Sequence, residues 1–299
     1  MKKIIKRRLR KITAGALMLS AKTGLSGNQA LHPVRTVSYA LSWPADFDLS
    51  VALLSDIHMG VGMNMRRLNE IVAAVNALKC DVVAVLGDMV DGTQAASNKP
   101  EHDWSQALAA LRAPVGVAGV AGNHDYKGDI TRVRRLFSDA GIPMLNNTAL
   151  HVDKDGNRFW LAGLDSQWGA PVPAGHVRKG HHDIDKTLAA ITNDDPVILL
   201  MHEPDIFDSL PNRFPISFAG HTHGGQIHLP FIGRPIVRAF PGHFRSDKIY
   251  GHFVSPDGAR QMVVTAGVGC SGLPLRWGVP PEIVKVELKG RRSGDRGGT

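Results

Sequence analysis

Five times along this chain a short apolar run stops at a cluster of Asp, His, Asn or Gly. Residues 50–55 run into Asp56-Ile-His58, 81–86 into Gly87-Asp88, 115–120 into Gly122-Asn-His-Asp125, 197–201 into His202, and 216–219 into Gly220-His-Thr-His223. Short apolar runs rich in Val, Ile and Leu read as buried strands. Leu68, Ile71, Val72, Val75 and Leu78 recur at helical spacing between the first two runs, so residues 50–86 predict one βαβ unit. Trp104, Leu108 and Leu111 predict a helix ahead of the strand at 115–120. The later half changes character. Residues 149–164, around Asp155-Gly156, and 250–266, around Pro256-Asp257-Gly258, predict hairpins, and 282–288 alternates like a final strand. The expected fold class is α/β, with two sheets packed face to face and helices outside, in one domain over residues 46–289.

Open α/β sheets bind ligands beyond the carboxyl ends of their strands, so five such ends would gather Asp, Asn and His on one edge. Imidazole and carboxylate donors suit a borderline divalent metal pair, with one carboxylate able to bridge. Alternation along an extended Asp-x-His or His-x-His segment would put both side chains on one face. Each residue alone has an ordinary explanation: Asp56 as a turn cap, Asn123 as a left-handed turn residue, any one His as a satisfied core group. Seven in register do not, because such groups buried together repel or stay unsatisfied unless a cation lies among them.

Asp56-x-His58, Gly87-Asp88, Gly122-Asn-His-Asp125, His202 and Gly220-His-x-His223, in that order, resemble the calcineurin-like metallophosphoesterase superfamily. The resemblance implies a four-layer αββα sandwich of two mixed sheets. It implies that Asp56, His58 and His223 hold one divalent metal, that Asn123, His202 and His221 hold the second, and that Asp88 bridges. Mn, Zn, Fe, Co or Ni would each fit such donors. Two cations so placed make hydroxide available near neutral pH and clamp phosphoryl oxygens, for hydrolysis of a phosphodiester or pyrophosphate bond. His124 would lie over the metals, stabilising phosphoryl charge or protonating the leaving oxygen. The resemblance suggests Asp91 as the group orienting His124, with Asp125 as the alternative. The segment Gly220-His-Thr-His-Gly-Gly-Gln-Ile-His-Leu-Pro230 is further similar to a bacterial membrane-associated phosphodiesterase branch that includes UDP-diacylglucosamine pyrophosphohydrolases of lipid A synthesis. That likeness implies a lipid-linked substrate; the broader family implies a phosphate-ester small molecule.

The net charge of +8 raises the question of nucleic acid, but eight of the 35 basic residues lie in residues 2–22 with no acid among them, leaving 27 against 27 elsewhere. A neutral body argues against DNA as the partner and against the nuclease alternative. A non-catalytic binding module on the same fold is the other alternative, and it would be expected to have lost ligands. Residues 1–45 form a basic head, ten mostly apolar residues from Ile12 to Ala21 and a lead-in, the shape of an export signal with a twin-arginine-like Arg7-Arg8, or of a peripheral membrane attachment. Without either, the protein would be cytoplasmic. Residues 290–299 offer nothing apolar to bury and are expected to be disordered.

Cys80 and Cys270 are expected as small core hydrophobes. His181-His182 reads as a helix start, His228 as either a cleft residue or an ordinary strand residue, and residues 273–277 as either an exposed flap touching lipid or a buried loop, with burial favoured. Gly269-Cys-Ser-Gly272 lacks the second Gly of a serine-nucleophile elbow, and Gly60-Val-Gly62 lacks the third Gly of a dinucleotide loop. Residues 165–185 and 228–247, rich in Gly and Pro, are expected to wall the substrate cleft.

Overall fold

The computed structural model describes residues 32–60, 63–91, 101–169, 180–235, 237, 247–272 and 274–291. The basic head lies outside these residues, as do 292–299 and parts of both expected cleft walls. Among the described residues no helix is long and apolar enough to cross a membrane.

The first sheet is ordered β1-β11-β2-β3-β4, with β1 Arg35–Ser42, β2 Leu49–Leu54, β3 Val82–Val85, β4 Gly116–Gly119 and β11 Glu282–Lys289. Strands β2, β3 and β4 run parallel, whereas β11 is antiparallel to β2 and parallel to β1. The second sheet is ordered β5-β6-β7-β8-β10-β9, with β5 Thr148–Lys154, β6 Asn157–Gly163, β7 Val197–Leu200, β8 Ile216–Ala219, β9 Gly251–Val254 and β10 Gln261–Val264. Its outer pairs are the two antiparallel hairpins, and its inner strands are parallel.

Period-two alternation builds the layers. On β2, Val51 and Leu53 point between the sheets, where they meet Phe159, Leu161, Ile198, Phe218 and Val286. Ala52 and Leu54 point the other way, into a second core with Leu68, Ile71 and Val75 of α1 Met65–Ala77, Trp104 and Leu108 of α2 Glu101–Ala109, and Val133 and Phe137 of α4 Ile130–Asp139. The fourth layer is thin. The outer face of the second sheet packs against Ile184 and Leu188, at α5 Ile184–Ala189, and against Phe207, Leu210 and Phe214. The architecture is the αββα sandwich.

Strand β1 lies ahead of residue 46, where the sequence reading began the domain. It is an edge strand, mostly exposed, and so carries no apolar run to announce it. At the other end, Gly290 donates its amide to Asp48 (2.9 Å) and Arg291 to the Ala45 carbonyl (2.7 Å), so the expected tail begins bound to the fold. Cys80 is buried, whereas Cys270 is only half-buried, on a loop instead of in a core, and both are free thiols.

Candidate metal centre

The strand ends converge because neighbouring strands hand their hydrogen bonding on to the loops that follow. Beyond β2 and β3, Asp56 donates its amide to Gly87 O (3.1 Å), His58 to Asp88 O (3.0 Å) and Met59 to Met89 O (2.7 Å). Gly220 donates to His202 O (3.0 Å), joining the ends of β7 and β8. A third loop closes on the first, with the amides of Val268 and Gly269 donating to Ser55 O (3.0 Å) and Asp56 O (2.7 Å). This close approach requires glycine. A Cβ on Gly220 would collide with Ser55 and Asp56, and one on Gly122 with the Asp88 carboxylate.

The side chains reach one site by a route that alternation does not describe. Asp56, His58, Asp88, His221 and His223 all adopt positive φ (56°, 48°, 53°, 69° and 50°), so neither Asp56-x-His58 nor His221-x-His223 is extended. Left-handed backbone costs a non-glycine residue of order 1 kcal/mol, and such strain clusters at functional sites. Here it turns consecutive side chains inward where an extended strand would carry on past the edge.

All seven expected ligands come together. His223 Nε2 lies 3.4 Å from Asp56 Oδ1 and 3.0 Å from His58 Nε2, and these three residues form one group of potential donors. Asp88, His202 and His221 form another, and Asn123 Oδ1 lies 2.9 Å from His221 Nδ1. Asp88 Oδ2 stands between the groups, 3.4 Å from His58 Nε2 and 3.2 Å from His202 Nε2. Its other oxygen accepts the His124 amide (2.7 Å). All of these side chains except His221, which is half-buried, are buried.

The charges suit a cation. Burial pushes His58 down to about 3 and holds His221 and His223 well below the usual imidazole range, so their nitrogens keep lone pairs at neutral pH. Burial pushes Asp56 up to about 6. Burial would raise Asp88 too, but His202, His124 and His58 hold its carboxyl well below the usual range. Asp88, 3.2 Å away, in turn keeps His202 well above its usual range, against burial, and a cation between the two would take the place of that proton. His202 donates from Nδ1 to Leu86 O (2.6 Å), which turns Nε2 to the centre, where it is buried with no hydrogen-bond partner. A buried imidazole oriented by a carbonyl and carrying an orphaned inward nitrogen is a metal ligand's arrangement, so the residues present fit a dinuclear divalent site.

His124, the second residue of α3 Asn123–Gly128, lies edge-on to His58, with ring centroids 4.9 Å apart. Its Nδ1 meets the main-chain carbonyl of Asp91 (2.9 Å), so Asp91 touches it through the backbone. With His58 and Asp88, His124 also forms a third group within donor distance. The Asp125 carboxylate does other work, accepting the amides of Met89 (2.8 Å), Val90 (3.2 Å) and Gly122 (2.8 Å) and so tying the Asp88 loop to the start of α3. Burial pushes it up to about 7.

Sequence reasoning missed the groups behind the ligands. Arg276, fully buried, donates to Gly269 O (2.7 Å) and Ala266 O (2.7 Å) and lies 3.1 Å from His223 Nδ1. Of the 273–277 segment, Arg276 and Trp277 are buried, Leu275 is half-buried, Pro274 is exposed and residue 273 lies outside the described residues, and the arginine in an apolar stretch is the signal that marks the site. Glu203, next to His202, accepts from Ser166 Oγ (2.6 Å) and the Gln167 amide (2.9 Å), and burial pushes it up to about 7. The Trp168 ring lies 5.7 Å from that of His221, on the described part of the expected cleft wall. His228 is exposed, next to a bridge between Ile227 and Trp277, and Asp183 caps α5 beside His181-His182, as a helix start requires.

Residues 49–231 match the family model for calcineurin-like phosphoesterases. The chain belongs to this family. Among its relatives, a Bacillus subtilis protein, the uncharacterized metallophosphoesterase YkuE, is 29% identical over 306 residues, covering 97% of this chain and 99% of that one. A zebrafish (Danio rerio) "transmembrane protein with metallophosphoesterase domain" is 31% identical over 254 residues, covering 81% of this chain and 53% of that one. A Caenorhabditis elegans metallophosphoesterase is 32% identical over 250 residues, 81% of this chain and 48% of that one, so the chain spans about half the length of these two animal relatives. Among solved structures, a Haemophilus influenzae NAD nucleotidase overlaps 75% of this chain and 51% of its own, with 16% identity and a TM-score of 0.48.

Proposed function

We propose that this protein hydrolyses a phosphodiester or pyrophosphate bond at a dinuclear divalent metal site. The observation that carries the reading is Asp88 Oδ2, held between His58 Nε2 and His202 Nε2 with a complete donor group on either side. Asp56, His58 and His223 would hold one ion, Asn123, His202 and His221 the other, with Asp88 shared. When bound, such ions supply Lewis-acid activation of water and of the phosphoryl oxygens. The chain's own residues do the rest. The α3 amide of His124 fixes the Asp88 carboxylate, and Leu86 O fixes the His202 ring. The Asp91 carbonyl accepts from His124 Nδ1, which leaves Nε2 as the nitrogen that would hold or deliver a proton at the leaving oxygen. A complete donor set speaks against a non-catalytic module.

The test is to strip the purified protein with chelator, reload it with Mn2+, Zn2+ or Co2+, and assay bis-p-nitrophenyl phosphate. Metal-dependent release of p-nitrophenol is expected; no activity with any of the three would sink the reading. A second reading, a lipid-linked substrate such as UDP-diacylglucosamine met at a membrane surface, is favoured by the turn just beyond the metal histidines. There Phe231 is fully exposed and Ile232 half-exposed, on a chain whose first 22 residues carry eight cations. Faster hydrolysis of a pyrophosphate lipid in anionic vesicles than of soluble diesters would support it, and salt-sensitive DNA cleavage would favour the nuclease alternative instead.

A further inference from the structure

We propose that Ser271, clamped through its main chain by Gln226, is a positioning residue for His124. The proposal rests on the reading of His124 as the group that serves the leaving oxygen.

Gln226 is buried, follows directly on the turn that carries His223, and itself adopts positive φ (56°). Its side-chain amide grips one residue with both ends: Oε1 accepts the Ser271 amide (2.9 Å) and Nε2 donates to Ser271 O (3.2 Å). The loop is held again on either side of that grip. Arg276 donates to Gly269 O, and Trp277 donates its amide to Gln226 O (3.1 Å). Ser271, gripped at both its amide and its carbonyl and two residues from the anchored Gly269, holds its Oγ 3.4 Å from His124 Nε2.

The geometry settles the direction of the bonds. The Asp91 carbonyl can only accept, so His124 Nδ1 carries the proton and Nε2 of the neutral ring is a lone pair. Ser271 Oγ then donates to Nε2 of the neutral ring; when the ring gains its second proton, the long contact at 3.4 Å gives way and the Nε2 proton passes to the leaving oxygen, after which the hydroxyl donates again. Asp91 and Ser271 together hold the ring at its two nitrogens, so its reach over the metal centre is set before substrate arrives. Pre-positioning of this kind raises turnover more than binding, since the ring matters most when charge develops on the leaving oxygen.

The test uses the full chain loaded with Mn2+, with metal content measured for each variant. Ser271→Ala is expected to keep the wild-type metal content and a KM within about twofold, and to lower kcat by about 5- to 20-fold, the effect of one lost hydrogen bond. The loss should be larger with diphenyl phosphate than with bis-p-nitrophenyl phosphate, whose leaving group needs less help. Ser271→Thr, which keeps the hydroxyl, should recover most of the rate. Gln226→Met should act in the same direction and add little on top of Ser271→Ala, because the two share one path. Independently of activity, 1H–15N imidazole spectra of the metal-free protein should show the His124 Nε2 signal, assigned by its loss in His124→Gln, moving in Ser271→Ala. An unchanged kcat with an unmoved signal overturns the proposal, as does a loss equal for both substrates that threonine fails to rescue. Wild-type protein inactive with every metal would instead sink the phosphoesterase reading, and the imidazole signal would still decide whether Ser271 holds the ring.

Discussion

Asp88 divides its carboxylate between two tasks: Oδ1 is tied to the His124 amide, and Oδ2 stands between His58 and His202. His124, at the start of α3, gives its amide to Asp88 but has its ring nitrogens engaged by the Asp91 carbonyl and Ser271. The two residues should therefore fail differently. Asp88→Asn removes the charge that both donor groups share, so elemental analysis should find less than one ion per chain and no detectable turnover. His124→Ala should keep two ions and lose about 10²- to 10⁴-fold in kcat, the range of a general acid. Metal lost with His124 would make it a ligand, a role its place within donor distance of His58 and Asp88 makes worth testing. The side chains that converge here were legible residue by residue in the sequence. Their conformation was not, because five of them sit in left-handed backbone, where the expected alternation does not apply.

Among the elements, the loops after β2 and β3 and the start of α3 work as one unit joined by Asp125. Its carboxylate satisfies three amides, of Met89, Val90 and Gly122, that have no strand to pair with. Asp125→Ala leaves them buried without that acceptor, and stability to urea should fall by roughly 2–4 kcal/mol. Asp125→Asn, which keeps one acceptor oxygen, should fall by less. A loss below about 0.5 kcal/mol for the alanine variant would mean water replaces the carboxylate. The sequence placed Asp125 near His124 and left its partner open; the Gly122 amide is a local partner three residues back, but the Met89 and Val90 amides lie 36 and 35 positions away, and no local pattern marks such partners. Strand β1 escaped notice for the opposite reason, since an exposed edge strand needs no apolar run.

For the whole molecule, the site joins the two sheets. Asp56, His58 and Asp88 follow strands of the first sheet, and His202, His221 and His223 follow strands of the second. Ions held across that seam, as proposed above, would bind the assembled sandwich and not the unfolded chain. At a free metal concentration about 100-fold above Kd, each filled site should stabilise the fold by about 2.7 kcal/mol. For a chain this size, that is a rise of roughly 5–10 °C in Tm per site. The rise should vanish in Asp88→Asn; a Tm indifferent to metal in the wild type would argue against ions at the seam.

The sequence by itself determined the alternation of strands and helices and singled out the seven side chains that the fold brings together, because buried strands need apolar runs and metal chemistry needs particular side chains, both local properties. Tertiary structure alone decided that Arg276 stands behind His223, that Gln226 grips Ser271 and that Ser271 reaches His124. These contacts join loops far apart along the chain, and a hydrogen bond made once between distant loops repeats with no period a sequence could display.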